Sequence, residues 1–182
     1  IMFIGKMASG KSTYADLLVK HFNFTRIALA EPMKAMEAGL DAAEGTAEFA
    51  ELIYPWFVFV PEYGDMSLTI MIQVLKEAKK IPRELPKPRK RLQYIGTEGG
   101  RNRIDARMWI NILRGRVKKA GKDIKFVLDD CRFLNEFRLL QPLFTPVKVN
   151  ISRELQLKRL YGLYPEFDPD VLNHPSELDI DN

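Results

Sequence analysis

Apolar residues along the 182-residue chain fall into short runs and helical stripes that alternate. The opening IMFI (residues 1–4) is a continuous apolar run of strand length. Tyr14, Leu17, Leu18 and Phe22 then recur at helical spacing, which predicts an amphipathic helix over residues 11–22. RIALA (26–30) predicts a second strand, and EPMKAMEAGL (31–40) a helix with proline in its first turn. From 41 to 65 the period fails. The aromatic run YPWFVFVPEYG (54–64) fits a loop or a lid and has no assigned element. Leu68, Met71, Ile72 and Leu75 mark the next helix, and Pro82, Pro86 and Pro88 break regularity across the basic stretch beyond it.

Trp109, Ile112, Leu113 and Val117 share one face of a helix expected over 106–119. IKFVLDD (124–130) is an apolar strand ending in two aspartates, PVKVNI (146–151) a further strand, and RELQLKRL (153–160) a basic helix. Strands that alternate with helices predict an α/β fold, with a parallel sheet between helical layers. The length suits a single domain over 1–182, with 41–90 inserted as a helical or lid segment.

Composition changes this picture in three places. No apolar run approaches the roughly eighteen residues of a membrane span, so no membrane partner is expected. Cys131 is the sole cysteine, which excludes an internal disulfide and a multi-cysteine metal site and suits a reducing cytoplasm. Charge is local: the stretch opening at Lys76 and closing at Arg91 holds eight basic and two acidic residues, a net +6 in a chain of net +4. A polyanion such as DNA would meet the protein there, if the stretch is not simply a solvated linker. The chain opens at Ile1 without a methionine, so a longer gene product is expected.

The main chemical signal is GKMASGKST (5–13), which matches G-x-x-x-x-G-K-[ST] through Gly5, Gly10, Lys11 and Ser12. Glycines let the backbone wrap so that successive N–H groups face phosphate oxygens. The helix after the loop offers its N-terminus to the same anion. Gly5, Ala8, Ser9, Gly10, Lys11, Ser12 and Thr13 are therefore expected to hold a nucleotide, with Lys11 reaching the β- and γ-phosphates and Ser12 ligating Mg²⁺. An N-K-x-D guanine-reading motif and an LSGGQ signature are both missing, which leaves a small phosphate-transfer enzyme ahead of a GTPase or a transporter ATPase. Asp129 and Asp130 end a strand whose C-terminal edge should face the ligand. Asp130 is expected to hold Mg²⁺ or its waters, the alternative being a solvated strand-end turn.

Four further blocks carry a resemblance. RLQYIGTEGGRNRIDARMWIN (91–111), VLDDCRFLNEF (127–137), HPSELD (174–179) and ALAEPMK (28–34) resemble segments of the bacteriophage-type deoxynucleoside monophosphate kinases, and they occur in that family's order. Members of that family usually extend beyond the HPSE-like block into a last strand and helix, and 41–90 carries no feature that matches them. The resemblance implies a P-loop kinase-type three-layer fold, a location in the host cytoplasm, and ATP with Mg²⁺ as donor to a deoxynucleotide acceptor. It also implies catalytic roles for Lys11, Asp130 and Arg132, the last two matching the family's D-x-R.

Arg132 would touch the transferring or acceptor phosphate. Cys131 between them is a small spacer or, less simply, a nucleophile. Arg101, which closes GTEGGR, is the leading acceptor-binding candidate, beside Arg103 and Arg107; each is otherwise surface charge. Asp105 and Trp109 join the acceptor set, with Trp109 read more readily as core than as a stacking platform, and Gln93 and Tyr94 contact a base or line a helix. Arg159, with Arg153 and Lys158, covers the donor phosphates or forms an ordinary basic face. His174, Ser176 and Glu177 match the family without an assigned physical role. A second acceptor is open: resembling phage enzymes phosphorylate hydroxymethylated pyrimidines within DNA, where the alcohol needs a base such as Asp129 or Asp130.

Overall fold

The computed structural model of the protein describes residues 1–85, 87–169 and 172. In chain order the elements run β1 (Met2–Ile4), α1 (Lys11–Phe22), β2 (Phe24–Ile27), α2 (Glu31–Gly39), α3 (Thr46–Phe57) and α4 (Gly64–Lys79). Next come α5 (Arg89–Gln93), a wide helix over Tyr94–Ile104 and α6 (Met108–Ala120). The chain continues through β3 (Lys125–Leu128), α7 (Leu134–Leu140), β4 (Pro146–Lys148) and α8 (Arg153–Leu163). These fall into two compact units, one built from Ile1–Ala28 with the chain from Ala120 onward, the other from Leu29–Lys119.

The first unit holds a four-stranded, all-parallel sheet flanked by helices, in the order β2-β3-β1-β4. This is the α/β architecture that the alternating pattern predicts. Met2 sits opposite both Leu128 and Pro146, while Ile27 also pairs with Leu128. That register brings the C-terminal ends of β1, β2 and β3 to one edge, where loops emerge from Ile4, Ile27 and Leu128. Phe3, Ala15 and Val127 form a buried cluster closed by Leu18, Phe24 and Val149. Ala15 supplies the close contact of α1, because a larger side chain has no room at a fully buried position there. Ser152 caps α8, its hydroxyl accepting from the Leu155 N–H at 3.3 Å.

The second unit is helical, and it takes in the stretch where the period fails. Phe49, Ile53 and Phe57 bury one face of α3. Their spacing of four is masked in the sequence by apolar neighbours at Leu52, Tyr54, Trp56 and Val58, and by Pro55 inside the helix. Residues 94–104 are likewise a helix that no period announces. Gly99 lies against the Val74 side chain and Gly100 against Trp109, so any Cβ there would collide with α4 or α6. α7 also goes beyond the sequence reading, and RIALA closes earlier than expected, its strand ending at Ile27. Among the described residues no helix is long and apolar enough to cross a membrane.

The basic stretch is largely engaged within the fold. Arg91 is buried and donates from Nη1 to Asp41 at 2.8 Å and from Nε to the Ile81 carbonyl at 2.7 Å. It also stands 3.6 Å from the buried Glu37, which Arg83 meets at 3.1 Å. Lys76 donates to Thr46, Lys79 to the Ala43 carbonyl, and Lys90 pairs with Glu84. Arg91→Ala is expected to cost about 3 kcal/mol of folding free energy, since it leaves the buried Glu37 with only the part-exposed Arg83 and removes the donor to the Ile81 carbonyl. Urea unfolding measures this, and an unchanged midpoint would refute the structural role.

Candidate functional site

The loop between β1 and α1 folds as its glycines require. Gly10 has φ 103° and caps α1 in a left-handed conformation closed to most side chains. Ala8, also in this loop, adopts φ 59°, a conformation rare for a residue with a Cβ. The Lys11 ammonium arches back over the loop and donates to the carbonyls of Gly5 at 2.5 Å and Lys6 at 2.7 Å. Ser9 is 5% exposed, and its hydroxyl oxygen is buried with no hydrogen-bond partner. Such orphaned groups in a native fold point to an absent ligand, ion or water.

The end of β3 supplies the second half of the site. The Ser12 hydroxyl donates to Asp129 Oδ2 at 2.7 Å. Arg26, at the end of β2, forks onto the same carboxylate, donating from Nε to Oδ1 at 3.1 Å and from Nη2 to Oδ2. Its remaining nitrogen reaches Asp16 on α1 at 2.7 Å. Asp129 is only 6% exposed, and a carboxylate so placed needs this partner. Its hydrogen bonds to the Asp129 carboxylate hold the Arg26 guanidinium charged still more firmly than usual. No sequence signal marks Arg26, because a lone arginine in a strand carries no motif. The carboxylate joined to Ser12 is Asp129, the neighbour of the Asp130 singled out as metal-binding.

Cys131 is buried, and burial above all, then the charges of Glu136 and Asp130, pushes its thiol up to about 12. A buried thiol held protonated is a poor nucleophile, which favours the spacer reading. The backbone N–H groups of Arg132 and Phe133 donate to Glu136 at 3.0 and 3.2 Å, which pins the turn and leaves the Arg132 side chain exposed. From α8, Arg159 donates to the Ala8 carbonyl at 3.0 Å and Gln156 to the Met7 carbonyl at 3.0 Å. Arg159 therefore does reach the loop, and Gln156 is a contact that no spacing or motif announces.

The acceptor-set residues belong to the second unit. Arg101 is half-buried on the wide helix. Arg103 is tied to Glu77 at 2.8 Å and to the Tyr94 hydroxyl at 3.0 Å. Tyr94 in turn donates to Glu77 at 2.5 Å, the largest cause of that carboxylate's lowered pKa. Arg103 is thus a brace between α4 and the wide helix. Asp105 accepts from the Arg107 N–H at 2.8 Å, from Tyr63 at 3.0 Å and from Asn111 at 3.2 Å. Burial opposes its charge, yet these donors hold Asp105 below the usual carboxylate range. Burial, with Asp105 adding to it, pushes the Tyr63 hydroxyl up to about 12. Trp109 corrects an expectation. It is 2% exposed and its indole donates to the Gly96 carbonyl at 2.8 Å, so the ring is core and offers no face for stacking. His174, Ser176 and Glu177 lie outside the described residues.

No protein-family model matches the chain. Over 99 residues, 53% of its length, the chain is 33% identical to a deoxynucleoside-5'-monophosphate kinase of Escherichia phage T5. The chain spans 37% of that protein's length. The chain is thus similar to a phage deoxynucleoside monophosphate kinase, as the four sequence blocks anticipate.

Proposed function

We propose that the protein is a kinase which transfers the terminal phosphoryl group of ATP to a deoxynucleoside monophosphate, giving the diphosphate. The observation that carries this reading is the pairing of the Gly5–Thr13 loop with a buried carboxylate, the Ser12 hydroxyl donating to Asp129 at 2.7 Å across 117 residues of chain. The similarity to the phage T5 kinase supports the acceptor class.

The residues fit a nucleotide with Mg²⁺. The orphaned Ser9 hydroxyl, the left-handed turn at Gly10 and the open N-terminus of α1 suit phosphate oxygens. Among the described residues no group of three or more His, Cys, Asp or Glu side chains converges, but Mg²⁺ on a nucleotide needs one or two protein oxygens only. Ser12 would ligate it, with Asp129 holding the hydroxyl proton and Asp130 next along the chain. When bound, Mg²⁺ supplies charge neutralisation on the phosphate oxygens.

The protein's own work is alignment. Lys11 exchanges its bonds to the Gly5 and Lys6 carbonyls for the donor's phosphates and follows the charge that builds on the leaving side. Arg132, exposed on a turn pinned by Glu136, and Arg159 add positive charge to the migrating group. Arg101 is the leading acceptor ligand, and Asp105, held in its own hydrogen-bonded cluster, is a second. An acceptor that is already a phosphate anion needs no general base.

The basic stretch gives the DNA-borne acceptor little support, because at least five of its eight cations hold partners within the fold. Labelled ATP offered with each deoxynucleoside monophosphate, with plain DNA and with hydroxymethyluracil DNA tests the reading. Label should move to free nucleotides. Label kept on polymer would overturn this in favour of DNA modification, and phosphate released without an acceptor would leave an ATPase.

A further inference from the structure

Ala8 is one of two described non-glycine residues with positive φ, and it stands in the middle of the phosphate loop. A residue with a Cβ holds such a conformation only where its surroundings over-determine it. Here the surroundings are α8. Gln156, 1% exposed, donates from Nε2 to the Met7 carbonyl at 3.0 Å, and Arg159 donates to the next carbonyl, Ala8, at 3.0 Å. The Gln156 amide is itself oriented, since Arg153 approaches its Oε1 at 3.5 Å.

Peptide geometry turns these contacts into a constraint on the loop. In a planar trans peptide the C=O of one residue and the N–H of the next point in opposite directions. Holding the Met7 carbonyl toward α8 turns the Ala8 N–H away from it, and holding the Ala8 carbonyl does the same to the Ser9 N–H. The Ala8 N–H is thereby presented on the side of the loop away from α8, as an anion-binding concavity requires, while the Ser9 N–H closes the turn by donating to the Lys6 carbonyl at 3.2 Å. The orphaned Ser9 hydroxyl belongs to the same turn and points independently to an absent ligand.

We propose that Gln156 is a positioning residue for the donor nucleotide: from α8 it fixes the polarity of the Met7–Ala8 peptide, so that the loop stands ready for phosphate before any ligand arrives. This rests on the reading of the Gly5–Thr13 loop as the donor's cradle. α8 is then a built-in clamp on the loop. Its Gln156 acts through the backbone and Arg159 through both backbone and charge.

The test compares wild type with Gln156→Met, which keeps the volume but loses the donor, and Gln156→Asn, whose amide is one methylene short. Affinity for a fluorescent ATP analogue should fall about five- to tenfold in both, the loss of one hydrogen bond's worth of preorganisation. The KM for the deoxynucleotide acceptor should stay near wild type, a split that general destabilisation would not produce. Adding Ala8→Gly to Gln156→Met should recover part of the loss, because glycine takes positive φ without an external hold. ATP-analogue affinity unchanged in both variants, or no recovery with Ala8→Gly, would overturn the proposal while leaving the donor reading intact. Wild type that binds no ATP analogue would sink the donor reading first. Should both variants fail to fold, the wild-type Gln156 carboxamide decides: its NMR signals should be protected from solvent exchange and shift on ATP addition, and fast, unshifted signals overturn the assignment.

Discussion

Lys11→Ala is expected to lower kcat/KM for phosphoryl transfer by about a thousandfold or more, with the fold retained. The magnitude is that of removing a charge-assisted donor aimed at transition-state charge in a phosphoryl-transfer site. The ammonium donates to two carbonyls of its own loop, at Gly5 and Lys6, and these are neutral acceptors that water can serve once the side chain is gone. Circular dichroism and the thermal midpoint should therefore stay close to wild type. Undiminished turnover in a folded Lys11→Ala protein would remove the loop from the chemistry.

Asp129→Asn is expected to act on stability and activity together. Both carboxylate oxygens already accept hydrogen bonds, Oδ2 from Ser12 and Arg26 Nη2, and Oδ1 from Arg26 Nε. An asparagine must turn its NH₂ toward one of these donors, so one bond becomes a donor–donor contact at a buried position. The guanidinium then relies on Asp16, whose side chain is 68% exposed and weak as a partner. A loss of about 1–3 kcal/mol in urea unfolding is expected. Transfer should fall about a hundredfold, because the Ser12 hydroxyl is no longer oriented. Wild-type activity in this variant would show that the Ser12–Asp129 bond is ornamental to the reaction.

These two effects differ in how visible their residues are beforehand. Lys11 stands inside a contiguous eight-residue motif, where each position's task follows from its neighbours. Asp129 is marked only as the end of an apolar strand, and its pairing with Ser12 spans 117 residues. Arg26 joins Asp129 across 103 residues and Gln156 joins Met7 across 149. Neither has a spacing to betray it. The sheet register makes the first of these meetings, by setting Ile27 opposite Leu128 so that Arg26 and Asp129 share one edge.

Misreadings have equally local causes. Trp109 lies among arginines in sequence, but helical geometry turns it inward onto Gly100. The +6 stretch looks like an open basic surface until Glu37 and Asp41, some fifty residues away, fold against Arg83 and Arg91. Helix α3 hides because it is apolar on more than its buried face, which flattens the period that would reveal it.

Legible along the chain is whatever depends on neighbours a few residues apart: the strand–loop–helix turn at residues 2–22, the alternating α/β order, and the similarity to phage kinases. Folding in three dimensions settles which distant charges neutralise one another, which arginines are braces and which are exposed, and which helix grips the loop. The division has one cause. Local conformation obeys backbone sterics and hydrophobic period, both written in adjacent residues. The partners of a buried charge or a loop carbonyl are chosen by strand register and helix packing, which place residues in contact without regard to their distance in sequence.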